Sequence, residues 1–158
     1  PTALRPSFRH SESVMPVFNE DIRKLAKANN DFRREVLTNA HSQVVLMCLQ
    51  PGEDIGEEIH ADNDQLLVLV KGAGEVRLGG VVSAVQKGAL ISVPAGTRHN
   101  LVNTGKKPIR LYTVYAPPET APGTVHATKA EAMAAEHAQL PAAQSDTPKH
   151  RKNQGKPA

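Results

Sequence analysis

Four side chains in the middle of the chain carry donor atoms at spacings that could hold one metal ion: Glu58, His60, Gln65 and His99. Side chains two apart on an extended strand share a face, so Glu58 and His60 point the same way. Gln65 opens the next apolar run after a four-residue turn, which sets it beside them rather than far along a sheet. His99 follows the Pro94-Ala95-Gly96 turn at the start of a later strand. Two imidazoles, one carboxylate and one amide oxygen form a mixed nitrogen and oxygen set. Such a set suits Mn, Fe, Co, Ni or Zn and argues against thiolate-selective metals and against calcium. One divalent metal ion is therefore the expected cofactor, with Zn, Mn or Fe first and Ni or Co behind them. No residue declares itself as the catalytic base.

Other groups offer less. His10, His137 and His150 fall in an arm, on a helix face and in a tail, and are expected to be solvated; His41 and His126 fall in loops flanking the strand region. Glu57 faces away from Glu58 and reads as a surface charge, and Asp62-Asn63-Asp64 reads as turn chemistry. The single cysteine, Cys48, sits in the apolar run Val44-Val45-Leu46-Met47-Cys48-Leu49, so a buried, inert thiol is expected, with no internal disulfide.

The elements that would position these groups are short and β-type. A helix through Ile22, Leu25 and Ala28, capped within Asn19-Glu20-Asp21 and ended by Asn29-Asn30-Asp31, precedes them. Strands are then expected at 33–37, 43–49, 57–60, 65–70, 74–78, 81–86, 89–93, 98–103 and 109–115, separated by Gly, Pro, Asn and Asp turns. Nine short strands at this spacing mean an antiparallel sandwich or barrel rather than a βαβ fold. Gly79-Gly80 reads as a two-residue hairpin turn. After Pro117-Pro118, Thr128 caps an Ala-rich helix over 129–139 that could pack on the barrel or on a partner subunit. The expected organisation is a polar N-terminal arm over 1–16, a barrel with its leading helix over 17–120, an extension with a helix over 121–140, and a basic tail over 141–158.

At this point a resemblance becomes specific. The run Gly52, Glu58-Ile59-His60, Gln65, Gly72 resembles the first motif of the cupin superfamily, in which glycine is followed by His-x-His, then Glu, then glycine at these intervals. Gly88, Pro94, Gly96, His99 and Asn103 are similar to the second motif at every position. The first motif departs from the pattern twice: its leading His is Glu58 and its Glu is Gln65. A barrel that has lost its metal competes with one in which both replacements ligate through oxygen. The resemblance covers roughly residues 33–116 and implies an all-β, double-stranded β-helix (jelly-roll) barrel with short terminal helices.

One Gln, one Glu and two His also resemble the zinc site of phosphomannose isomerases, themselves cupins, with the Glu and Gln positions exchanged. That likeness implies a metal-dependent isomerase of a sugar or sugar phosphate, mannose-6-phosphate isomerase-like, with Arg98, Lys107 and Arg110 as candidate phosphate anchors. The alternatives are an Fe(II)-dependent dioxygenase of small organic substrates, with Met47, Leu67, Leu69 and Leu101 lining an apolar pocket, and a non-enzymatic, ligand-binding cupin. Cupins of this size imply a homodimer.

Composition sets the outer bounds. The chain has 158 residues, enough for one domain with a real core. Its formal charge of +3 resides in residues 141–158, where Lys149, Arg151, Lys152 and Lys156 face only Asp146. A basic tail without aromatic residues gives no expectation of nucleic-acid binding. Residues 1–16 lack an apolar leader core and no run is apolar enough to span a bilayer, so the expected location is cytoplasmic, with a small-molecule substrate and no membrane partner.

Overall fold

A computed structural model of the protein describes residues 17–139. The expectations placed on the 1–16 arm and the 141–158 tail lie outside those residues. The chain runs α1 (Ile22–Ala28), β1 (Arg33–Thr38), β2 (Gln43–Leu49), β3 (Asp64–Lys71), β4 (Ala73–Leu78), β5 (Val81–Gln86), β6 (Leu90–Val93), β7 (His99–Val102), β8 (Ile109–Ala116), β9 (Val125–His126) and α2 (Lys129–Gln139). Every strand pairing is antiparallel. The strands form a six-stranded sheet in the order β6-β3-β8-β2-β1-β9 and a three-stranded sheet in the order β5-β4-β7. This is the expected all-β jelly roll.

Period-two burial drives the packing. Along β8, Ile109, Leu111, Thr113 and Tyr115 are buried while the residues between them are partly covered. The inward set joins Val45, Met47, Leu49, Leu67, Leu69, Ile91, Val93 and Leu101 in one core between the sheets. Fully burying a side chain of this size contributes about 1.5–3 kcal/mol. Helix α1 covers the outer face of the larger sheet, where Ala26, Leu46 and Val70 form a second cluster with Ile22 and Leu25. Its buried position is Ala26 rather than the expected Ala28, because i, i+3 and i+4 from Ile22 define the stripe. Asp21 caps it, its Oδ1 accepting from the Arg23 and Lys24 amides.

Two strand expectations are corrected. Residues 57–60 form no strand: Gly56, at φ +97°, breaks the extended run just before them. The segment instead hangs beside β7 through isolated bridges, Asp54 to Val102 and Glu58 to His99. Residues 125–126, expected to be loop, form β9 and pair with Arg33 and Arg34 of β1, so the C-terminal extension contributes an edge strand. The hairpin at Gly79-Gly80 forms as expected, both glycines adopting positive φ.

Candidate metal centre

One rung of the larger sheet sets the floor of the site. Gln43 of β2 pairs with Tyr115 of β8, Tyr115 with Gln65 of β3, and Gln65 with Val93 of β6. Over this rung, β7 of the smaller sheet brings in His99, and the Glu58 and His99 backbones exchange hydrogen bonds of 2.9 and 3.0 Å. The Gly96 amide donates to the His60 carbonyl at 2.7 Å, fixing the other end of the segment.

Glu58, His60 and His99 converge, each offering a ligand atom within 4.8 Å of the others. Oε2 of Glu58 lies 3.1 Å from Nε2 of His60 and 3.7 Å from Nε2 of His99. Ligand atoms each ~2.1 Å from one ion sit ~3.0–3.4 Å apart, so the triad needs only small shifts to share one. His99 is buried and its Nδ1 lies 3.0 Å from the Thr97 carbonyl, to which it must donate. That bond fixes the tautomer and leaves a lone pair on Nε2, which is buried with no hydrogen-bond partner among the described residues. Gln65 is placed beside the triad on Tyr115. Its Nε2 donates to the Thr113 and Tyr115 hydroxyls at 3.1 and 3.2 Å, and its Oε1 is buried with no partner among the described residues. Unpaired acceptors of this kind are costly unless something fills them. A cation held by the triad would satisfy His99 Nε2.

Around the triad stand groups that residue spacing did not reveal. Glu119 Oε1 lies 3.1 Å from His60 Nδ1, the carboxylate-to-imidazole contact that orients a ligating ring. Its loop is tied down: Gln43 accepts from the Glu119 and Thr120 amides, and Asn63 donates to the Pro117 carbonyl at 2.7 Å. Arg33 is 7% exposed and places its guanidinium 3.6 Å from Glu58 Oε1 and 3.0 Å from Glu136 of α2. Tyr115 packs edge-on to the His60 ring at 5.6 Å between centroids. Burial, with the Glu58 charge adding to it, pushes the Tyr115 phenol up, so it stays neutral. The hydrogen bond to Glu58 raises the His60 pKa above its ordinary value; burial opposes this, and the charges of Glu58 and Glu119 reinforce it.

A cleft of about 620 Å³ opens beside the triad, lined by Arg33, Glu58, His60, Tyr115, Glu119 and His126, among others. The other sequence candidates lie away from it. Arg98 is exposed and pairs with Glu57. Arg110 holds the Lys27 and Asn29 carbonyls at the end of α1. Lys107 is exposed in the turn before Ile109, at the far end of β8, ~20 Å from Tyr115. Met47, Leu67, Leu69 and Leu101 pack within the core and line no part of the cleft. Cys48 is buried, and burial raises its thiol pKa, as an inert cysteine requires. His41 is exposed, and His137 bonds back to the Met133 carbonyl of its own helix. His126, expected in a loop, reaches the cleft wall through β9.

Residues 45–115 match the family model described as Cupin domain. The uncharacterized protein YrkC of Bacillus subtilis (strain 168) is 47% identical over 125 residues, covering 75% of this chain and 67% of its own. The uncharacterized protein L612 of Acanthamoeba polyphaga mimivirus is 36% identical over 113 residues, covering 69% of this chain and 71% of its own. The crystal structure of BH2720 from Bacillus halodurans superposes with a TM-score of 0.74 at 45% identity, covering 78% of this chain and 97% of that one.

Proposed function

This chain belongs to the cupin superfamily, and we propose that it is a metal-dependent isomerase of a small, hydroxyl-rich carbonyl compound of the sugar class. Its divalent ion would be held by Glu58, His60 and His99, with Gln65 Oε1 as the fourth ligand. The observation that carries this reading is the charge inventory beside the triad. Among the described residues Glu58, Glu119 and Glu136 stand against Arg33 alone, so with neutral imidazoles two negative charges are left over for a divalent cation to offset. The bound ion supplies Lewis acidity toward adjacent carbonyl and hydroxyl oxygens.

The chain's own groups supply the rest. Tyr115, held neutral, can donate to a substrate oxygen but cannot serve as a base near neutral pH. Glu119 and His126, both on the cleft wall, are the groups able to accept a proton from carbon. Among the described residues Arg33 is the lining's one permanent cation, and it is already shared by two carboxylates, so a phosphate would find no free partner among them. The cleft therefore favours a neutral sugar over a sugar phosphate. Two imidazoles and one carboxylate with open positions also support a second reading, an Fe(II)-dependent dioxygenase. Met47, Leu67, Leu69 and Leu101, on which the apolar-substrate version of that reading rested, are packed in the core and not in the cleft lining.

The test is to incubate metal-loaded protein with neutral aldoses and ketoses in deuterated water and follow the carbon-bound protons by NMR. Isomerisation by proton transfer gives metal-dependent product with deuterium at the carbon beside the carbonyl. Oxygen uptake without exchange would replace the isomerase by the dioxygenase. Saturable sugar binding with neither would make the protein a binding module.

A further inference from the structure

Arg33 is a buried cation next to a site that should attract another cation, and that placement needs a reason. Its Nη1 meets Glu136 at 3.0 Å and its Nη2 meets Glu58 Oε1 at 3.6 Å, while the other oxygen of Glu58 faces both imidazoles. The two oxygens of one carboxylate are thus divided between two tasks. We propose that Arg33 is a positioning residue that makes Glu58 a one-oxygen ligand: it holds Oε1 away from the ion so that only Oε2 can bind. The inference rests on the metal reading above and adds to it how the coordination number is set.

Three features support it. The guanidinium is planar and forked, so it can bridge Glu58 and Glu136 at once, which a lysine ammonium cannot do with the same geometry. Arg33 is fixed from both sides, its backbone paired with Met47 of β2 and with His126 of β9. Its side chain also lies 6.0 Å from the centre of the Phe32 ring. A carboxylate freed from such a partner can swing both oxygens onto an ion, which raises the coordination number and changes which metals fit.

The test uses Arg33→Met and Arg33→Lys, each in the natural chain and in a Glu58→His background, with Co(II) and Zn(II) as probes. Thermal unfolding of the metal-free proteins establishes that each variant is folded. In the natural chain, Arg33→Met should weaken Zn(II) binding about tenfold, the usual cost of losing a partner that orients a ligand. The visible absorption of bound Co(II) should also fall as its coordination number rises, and Arg33→Lys should behave the same way. In the Glu58→His background Arg33 still pairs with Glu136 but has no ligating carboxylate to hold, and toward the ion it only repels. There Arg33→Met should strengthen binding. A change of the same sign in both backgrounds, or an unaltered Co(II) spectrum, would overturn the proposal while leaving the metal site standing. If the natural chain takes up neither ion, the metal reading itself fails and this proposal with it.

Discussion

His99 is the side chain whose surroundings admit the fewest roles. One ring nitrogen is committed to the Thr97 carbonyl, and the other is buried, unpaired and 3.7 Å from a carboxylate oxygen. His99→Ala and His60→Ala are each expected to abolish stoichiometric metal, measured by elemental mass spectrometry, while circular dichroism still reports a folded barrel. Metal retained in both variants would refute the site. Gln65→Ala should weaken binding less, because a neutral amide is the poorest ligand of the four. It should also lower stability by about 1–2 kcal/mol, through the hydrogen bonds it withdraws from the Thr113 and Tyr115 hydroxyls. Glu119→Gln, which keeps the shape but removes the charge behind His60, should cost roughly tenfold in metal affinity. The convergence of Glu58, His60 and His99 was legible because their spacing is local to two turns. Glu119 and Arg33 were not. Glu119 lies fifty-nine residues from His60 in the chain, and no period or motif signals a pairing that exists only once the sheets have closed.

Helix α2 was legible as an element and opaque as a contact. Thr128 caps it as expected, its hydroxyl accepting from the Glu131 amide at 3.2 Å. What its alanines could not tell was where it docks. Ala132 enters the main core, Glu136 meets Arg33, and Lys129 pairs with Asp54 of the first-motif segment. Burial by itself would raise the Asp54 pKa; hydrogen bonds from Asn100 and Lys129, the Lys129 charge and the Gly56 amide outweigh it and leave a net lowering. A carboxylate whose folded pKa is depressed contributes stability above its unfolded value of 3.8 and loses it as pH falls through the folded value. Amide exchange of residues 129–139 should therefore quicken relative to the barrel strands as pH drops below that value, once the intrinsic pH dependence of exchange is removed. Asp54→Asn should flatten the response, and an unchanged profile would show that the pair does not hold the helix. The strands missed or misplaced fail for similar reasons. β9 is two residues long and exists because β1 offers it an edge, whereas residues 57–60 alternate like a strand but follow a glycine that turns the backbone out of the ladder.

His99 of the triad stands on the smaller sheet, and Gln65 on the larger. Glu58 and His60 come from a segment that belongs to neither sheet and is tied to its neighbours by scattered backbone bonds. An ion shared by these groups would bind the folded arrangement and not the unfolded chain, so its binding energy adds to the stability of the whole molecule. At a free metal concentration a hundred times the Kd, that stabilisation is about 2.7 kcal/mol. For a chain of this length it corresponds to a rise in Tm of roughly 5–10 °C. The rise should vanish on adding a chelator and be absent from His60→Ala, whose metal-free melting should stay near that of the natural chain. The comparison separates a functional site from a fossil one without any knowledge of the substrate. If none of Zn, Mn, Fe, Co or Ni moves the melting curve of the natural chain, the convergence of Glu58, His60 and His99 is only a hydrogen-bonded cluster, with the raised His60 pKa holding a proton where an ion would sit.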